Sequence, residues 1–263
     1  MKNKNFYSFL TGGGVATLGG LIGLGGAEFR LPILVGFFSF ATLSAIIINK
    51  IVSLMVVIFS IFFRSNTIGF EEIIPHSFII INILIGSLFG AYIGANYAIK
   101  IKQEVLNKII LFMLITLAFS MLFGHSYLVK GEPLFSNQYL LFFVGIIAGI
   151  LIGMIAAILG VAGGEFIIPT LILLFGLDPK LAGSISLCIS LPTMLMAFFR
   201  YSKSEQFKQI LEEKTFIMFM IFGSLIGAFI GSMLLNLINS EYISILLGVI
   251  LLISSWKVFK TKN

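Results

Sequence analysis

Long apolar runs, separated by short polar stretches, fill almost the whole chain. A membrane-spanning helix needs about 20 apolar residues, whereas a half-helix that lines a cavity inside a protein is shorter. Measured in this way, the pattern predicts five segments on each side of a polar loop at 124–136. The predicted segments are 6–26, 29–41, 43–63, 74–99 and 105–123, followed by 138–160, 165–176, 181–200, 215–236 and 242–259.

The two halves of the chain repeat each other in sequence. The phrase from Gly23 to Pro32 shares five of its ten positions with the phrase from Gly160 to Pro169. The same offset of 137 residues aligns the run 86–94 with 223–231, where seven of nine positions are identical. One offset that serves two distant blocks indicates a duplication. It predicts a first repeat at 1–123, an external linker at 124–136 and a second repeat at 137–263.

The positions of the basic residues predict that the two repeats are inverted. Lys and Arg are enriched in cytoplasmic loops. The turn after the fourth segment carries three lysines, whereas its counterpart, 239–241, carries none. The loop 200–214 is basic, whereas its counterpart, 64–73, sets Arg64 against two glutamates, and lysines near both termini place both ends in the cytoplasm. We therefore expect an all-α polytopic membrane protein of about ten segments, built as two five-segment inverted repeats with broken helices, an architecture of transporters.

The composition agrees with a membrane protein. Of the 263 residues, 59% are hydrophobic and 11% are charged, against about 25% charged residues in a soluble domain. The net charge of +6 comes mainly from loops and termini, so it does not indicate nucleic-acid binding. The abundance of Lys, Asn, Ile and Phe suggests an AT-rich bacterial genome, and hence a bacterial cell membrane.

Each repeated phrase predicts a break between two helices. Glycine permits a sharp turn and close approach of a ligand, and proline is tolerated in a first helical turn. We expect half-helices that begin near Phe29 and Phe166, with Pro32 and Pro169 at their starts. Their N-terminal N–H groups and positive dipole ends suit an anion. The glycines predicted to line this anion site are Gly25, Gly26, Gly163 and Gly164.

Glu28 and Glu165 occupy the same position in both phrases. A charged side chain at the bilayer centre costs on the order of 2.5–3.5 kcal/mol, so a symmetry-related pair indicates a use. Burial favours the neutral form of a carboxyl group, which suits proton coupling or gating. The alternative is that each glutamate lies near a membrane interface and caps its short helix.

Arg30 is charged where the second repeat has Ile167. One arginine at the start of a half-helix is suited to hold an oxyanion by paired hydrogen bonds. The alternatives are an ion pair with Glu28 and an extended side chain that reaches the membrane surface.

Asn49 and Lys50 interrupt the third apolar segment, where Ser186 and Leu187 are their counterparts. We expect Lys50 to face Glu28 or a substrate anion inside the protein; the alternative is a lysine that extends to the surface. Asn49 and Ser186 are predicted to bind the same anion.

The remaining patterns favour packing over chemistry. Glycines recur every four residues in 86–94 and 223–231, which allows close helix contacts and also a homodimer. His76 and His125 have no second ligand at a suitable spacing, so no metal is predicted. The sequence contains no nucleophile–base pair, Walker loop or dinucleotide fingerprint, so we predict neither an enzyme nor a cofactor.

The phrase Gly-x-Gly-Gly-x-x-x-x-x-Pro-x-Leu from Gly23 to Leu34, with its looser copy from Gly160 to Leu171, resembles the TauE/SafE family of membrane proteins. The segments 45–50 and 182–187 look like the patterns of the two halves of that family. The resemblance covers nearly the whole chain and implies a transporter of sulfur-containing anions, such as sulfite or an organosulfonate. Glutamate at 28 and 165 departs from the apolar residue usual in the family, which implies a subgroup with different coupling or substrate.

The sequence therefore predicts a secondary transporter of a small anion in the lipid bilayer. Because the sequence shows no ATP site, a proton or ion gradient is predicted to drive transport, and the two glutamates favour protons as the coupling partner. Two alternatives stay open: an anion channel gated by the glutamates, and the membrane subunit of a larger complex.

Overall fold

The computed structural model describes residues 2–22, 26–40, 42–97, 133–203 and 210–238, together with the single positions 115, 207, 242, 245, 249 and 252. Every regular element in these residues is a helix, as predicted. The first repeat contains α1 (Lys2–Ile22), α2 (Ala27–Gly36), α3 (Thr42–Arg64), α4 (Phe70–Ile73) and α5 (Ser77–Tyr97). The second contains α6 (Gln138–Leu159), α7 (Gly164–Phe175), α8 (Pro179–Tyr201) and α9 (Lys214–Leu234). The predicted segments 105–123 and 242–259, and most of the linker, lie outside the described residues.

The offset of 137 residues that relates the two sequences also relates the helices. It carries the bounds of α3 onto those of α8 and the bounds of α5 onto those of α9. It also carries the 3-10 turn Ile74–His76 onto the turn Leu211–Glu213. The duplication therefore extends from the sequence to the ends of individual elements.

The equivalent helices α3 and α8 run in opposite directions. Arg64, at the end of α3, donates to the carbonyl of Lys180 in the first turn of α8. Near the start of α3, Asn49 donates to the Gly160 carbonyl just after α6, and Tyr201, at the end of α8, donates to the Ala157 carbonyl in the last turn of α6. Antiparallel equivalent helices are what an inverted repeat requires.

Two long helix pairs each take one member from each repeat: α1 packs along α9, and α5 packs along α6. The glycines predicted to allow close packing lie at these contacts. A Cβ at Gly90 would overlap the carbonyl of Ile150, and a Cβ at Gly227 would overlap that of Gly13. The second contact is the first one displaced by the repeat offset, so the two pairs are built alike.

Five helical runs among the described residues are long and apolar enough to cross a membrane. They are Ser44–Arg64, Phe70–Tyr97, Gln138–Ile158, Pro179–Tyr201 and Leu211–Leu234. The twelve residues of α7 form a shorter apolar helix. α1 is less apolar because it contains two lysines, two asparagines and five glycines. The chain is thus a polytopic helical membrane protein.

Candidate functional site

Left-handed glycines form the breaks between helices. Gly160 ends α6 with φ 68°, and Gly163 precedes α7 with φ 84°. Gly26 precedes α2 with φ 73°. Residues with a side chain rarely adopt such values. These glycines turn the chain out of one helix and into the next within a few residues.

The two half-helices begin within two residues of the predicted starts, but the predicted place of the two prolines in the first helical turn is wrong. Because the left-handed Gly26 and Gly163 open the helices directly, α2 begins at Ala27 and α7 at Gly164. Pro32 and Pro169 are consequently the sixth residues of their helices, in the second turn. A proline there cannot donate to the carbonyl four residues earlier, so neither half-helix has a complete backbone ladder.

Asn49 joins the two broken regions. Its side chain is fully buried, and Nδ2 donates to the carbonyl of Ala27 at 2.9 Å and to that of Gly160 at 3.4 Å. Its Oδ1 accepts from Nη1 of Arg30 at 3.2 Å. One amide thus fixes the first phrase against the second and orients a guanidinium, which gives Asn49 a positioning role that the sequence did not predict.

Arg30 lies in the first turn of α2 and is 1% exposed. Its Nη1 also donates to Oγ of Ser53 at 2.8 Å. The alternative in which Arg30 extends to the membrane surface is therefore wrong. Ser53 was not predicted as a site residue. It could have been found from the repeat, because the equivalent residue 137 positions later, Ser190, is also a serine.

Lys50 is likewise buried, at 1% exposure, so it does not extend to the surface either. Its Nζ donates to the Ala156 carbonyl at 3.3 Å, across the boundary between the repeats. Glu165, 3% exposed in the first turn of α7, is the carboxylate whose charge acts on Lys50. The acidic neighbour of Lys50 in this structure thus comes from the second phrase, while the side chain of Glu28 lies outside the described residues.

The C-terminal end of α6 is a point of convergence. Carbonyls at the end of a helix carry partial negative charge and attract donors and cations. Two of the three side chains that bind them belong to the first repeat. The acceptors are Ala156, Ala157 and Gly160, and their donors are Lys50, Tyr201 and Asn49, respectively.

Arg64 is a buried residue that the sequence placed in an external loop. It is 1% exposed. Its Nη1 donates to the carbonyls of Gly20 and Leu21 at the end of α1, at 2.9 and 3.0 Å. Its Nε donates to Oγ of Ser184 at 3.1 Å, and its Nη2 to the Lys180 carbonyl at 2.9 Å. Arg64 therefore ties the end of the first repeat's opening helix to the start of α8.

The other predicted residues occupy positions in or beside the breaks. Gly26, Gly163 and Gly164 are buried. The hydroxyl of Ser186 is buried in α8 and donates to the Gly183 carbonyl at 2.8 Å. Gly25 lies outside the described residues. No group of three potential metal ligands occurs in the described part of the chain.

The described charged side chains of this central region include both cations and a carboxylate. Arg30 and Lys50 are buried cations, Arg30 is hydrogen-bonded to Asn49, and the charge of the buried Glu165 acts on Lys50. Buried charges are costly unless they are compensated. The described charged side chains where the two breaks meet are therefore two cations and one carboxylate, and the side chain of Glu28 lies outside them.

A family model described as sulfite exporter TauE/SafE matches residues 1–121 and 145–263 of the chain. The chain belongs to the TauE/SafE family. The two matched stretches each contain one glycine-rich phrase, so the TauE/SafE match covers both halves of the central region described above. No curated protein and no solved structure matches the chain. Family membership and the apolar helices together make this a transmembrane transport protein.

Proposed function

We propose that this protein is a secondary transporter that moves a small sulfur-containing oxyanion, such as sulfite or an organosulfonate, across a bacterial cell membrane. The family description supports the substrate class. The observation that carries the proposal is the pair of buried cations, Arg30 and Lys50, at the meeting point of the two breaks, where Arg30 is hydrogen-bonded to Asn49.

The anion binds between the Arg30 guanidinium and the Lys50 ammonium. A guanidinium presents planar pairs of donors that match the oxygens of sulfite and sulfonate groups, and an ammonium adds a compact charge. The start of α7 adds backbone N–H groups and the positive end of a helix dipole. The left-handed Gly26 and Gly163 let the backbone approach the ligand closely in this region.

Glu165 provides the coupling to protons. Its carboxylate and the substrate anion both interact favourably with Lys50, so they compete for the same cation. When Glu165 takes up a proton, Lys50 becomes available to the anion; when the proton leaves, the carboxylate displaces it. One proton then accompanies each singly charged anion, and the charge of the region stays constant. Glu28, in the equivalent place of the first phrase, is the second candidate for this role.

Movement of the two repeats against each other exposes the anion to one side of the membrane at a time. The antiparallel arrangement of α3 and α8 supports this proposal, because inverted repeats can exchange conformations and so open alternately to opposite faces. The distribution of basic residues supports a cytoplasmic location for both termini.

The test is uptake of sulfite, sulfate, thiosulfate and a sulfonate into proteoliposomes under an imposed pH gradient. We expect gradient-driven accumulation of at least one anion. Arg30→Gln and Lys50→Met should each raise the KM by at least about tenfold, because each removes a charged contact. Lys203→Met is the matched control, since Lys203 is exposed.

Glu165→Gln separates transport from coupling. The variant should still exchange anion for anion but should lose accumulation driven by the pH gradient. Flux that never exceeds equilibrium in the parent protein would indicate an anion channel. Unchanged transport by both Arg30→Gln and Lys50→Met would exclude the proposed site.

A further inference from the structure

The guanidinium of Arg64 donates hydrogen bonds to both repeats. Nη1 donates to the first repeat, whereas Nε and Nη2 donate to the second. Nη1 donates only to α1, through the carbonyls of Gly20 and Leu21. Nε and Nη2 donate only to α8, through Ser184 and the Lys180 carbonyl. Because Nε and Nη2 point the same way, they form the side of the group that binds oxyanions through two parallel hydrogen bonds. In this structure that side is occupied by neutral oxygens of the second repeat.

The positive charge of Arg64 is balanced by dipoles in the part of the chain described. No described carboxylate lies within ion-pair distance of it, and the nearby Glu71 and Glu72 are exposed. The ends of helices carry partial negative charge, which makes the last carbonyls of α1 suitable acceptors. A full negative charge would compensate the buried guanidinium better than the Ser184 hydroxyl and one carbonyl do.

We propose that Arg64 is a latch between the repeats that becomes a second oxyanion site when it opens. As the start of α8 moves away, Nη1 keeps its bonds to α1, and the Nε–Nη2 edge is released. A sulfate or sulfonate oxyanion then takes the places of Ser184 and the Lys180 carbonyl. The anion binds the open form and not the latched form, so it shifts the equilibrium towards opening. This inference rests on the proposed function only in requiring that the repeats move.

The residue equivalent to Arg64 at the opposite end of the described structure is Tyr201, which carries no guanidinium. The bond from Arg64 to Gly20 has its equivalent, under the repeat offset, in the 2.9 Å bond from the Tyr201 hydroxyl to the Ala157 carbonyl. A tyrosine hydroxyl has one hydrogen to donate and no charge. The recorded bond also stays within the second repeat. Oxyanions are therefore expected to promote opening at the Arg64 end alone.

The opening of the Arg64 end can be measured as the reaction rate of a buried thiol. Leu177 is 8% exposed, precedes α8 and belongs to the same apolar cluster as Leu21. Leu177→Cys is combined with Cys188→Ala, reconstituted in nanodiscs and treated with N-ethylmaleimide. The probes are sulfate and methanesulfonate, with chloride at equal ionic strength and the neutral dimethyl sulfone as controls. We expect sulfate or methanesulfonate, but neither control, to accelerate the reaction several-fold.

Four further substitutions test whether the acceleration of thiol labelling by anions arises at Arg64. Ser184→Ala removes one hydrogen bond to a charged group and should raise the basal rate by about tenfold while keeping the anion effect. Arg64→Gln should raise the basal rate and abolish the anion effect. Tyr201→Phe should change neither. Arg30→Gln should keep the anion effect although the KM for transport rises, which separates this site from the central one.

The proposal is overturned if the anion effect survives in Arg64→Gln, disappears in Arg30→Gln, or has the opposite sign in the parent protein. If Arg64→Gln does not fold, Arg64→Lys carries the same test, because an ammonium keeps the charge but has no paired edge. Loss of the anion effect in Arg64→Lys supports the proposal, and full retention overturns it. An anion effect on labelling without any transport would leave this site standing and exclude the proposed function.

Discussion

Replacement of Asn49 by alanine tests whether one amide holds the two broken regions together. The substitution removes the donor to the Ala27 carbonyl at 2.9 Å and the acceptor for Arg30 at 3.2 Å. It also removes the contact to the Gly160 carbonyl, whose 3.4 Å length makes it weak. Since Asn49 is fully buried, water cannot replace these partners.

The expected cost follows from these contacts. A hydrogen bond to a charged group contributes about 1.5–3 kcal/mol, and one between neutral groups about 0.5–1.5 kcal/mol. Counting the bonds to Arg30 and Ala27 and neglecting the long one, Asn49→Ala should lower the free energy of unfolding by about 3 kcal/mol. At roughly 2–4 °C per kcal/mol for a chain of about this size, the unfolding midpoint should fall by about 6–12 °C.

The single native cysteine provides the assay. Cys188 is half-buried in α8, so a thiol-reactive fluorescent dye reports its exposure during thermal unfolding in detergent micelles. Ser53→Ala and Ser190→Ala are matched controls at equivalent positions. Ser53 accepts from Arg30, whereas the buried Ser190 hydroxyl has no hydrogen-bond partner among the described residues. Ser53→Ala should therefore lower the midpoint by several degrees and Ser190→Ala by less than about 2 °C.

An Asn49→Ala midpoint within about 2 °C of the parent protein would refute this reasoning. So would a shift no larger than that of Ser190→Ala. Either result would mean that the amide merely occupies the space between the two regions, and that Arg30 keeps its position without it.

Two further predictions concern packing and a surface ion pair. Gly90→Ala should lower the unfolding midpoint by several degrees, because the new methyl group overlaps the Ile150 carbonyl and overpacking costs about 1–3 kcal/mol. Gly14→Ala is the control and should not lower it, because no described atom outside the backbone of its own helix lies within 4 Å of the added carbon. Lys4→Met removes the 2.9 Å ion pair with Glu213, whose side chains are 38% and 40% exposed. Its effect should stay below about 1 kcal/mol and disappear at high salt, and a large or salt-independent shift would contradict a screened surface pair.

The sequence was sufficient to predict the helices and their duplication, because membrane thickness and the repeat offset constrain them strongly. The bounds of α3, α6 and α8 lie within two residues of the prediction. The place of Pro32 within α2 was mispredicted because a local preference, proline in a first turn, was applied without the φ of Gly26. Backbone geometry of that kind depends on what the glycine packs against, here the carbonyl of Val15 in α1.

The partners of the buried charges were harder to predict. Arg64 follows a predicted apolar segment and was therefore assigned to the external loop 64–73. Its burial depends on the end of α1 and the start of α8 arriving at the same place, and three of its four acceptors are backbone carbonyls. Every residue has a backbone carbonyl, so residue types do not reveal which carbonyls accept hydrogen bonds from a buried cation. The sequence could therefore identify Arg30 and Lys50 as site residues but not their hydrogen-bond partners.

The pairing of α1 with α9 sets an order of events during biosynthesis. Among the described helices, α1 is poorly suited to face lipid, because it carries five glycines and two lysines. The helix that covers its glycine face starts at Lys214, about 190 residues later. At 5–20 residues per second, α1 must wait roughly 10–40 s for that partner. During that interval the glycine face of α1 needs a temporary partner in place of α9. We expect the membrane insertion machinery to shield this face until α9 has been synthesised.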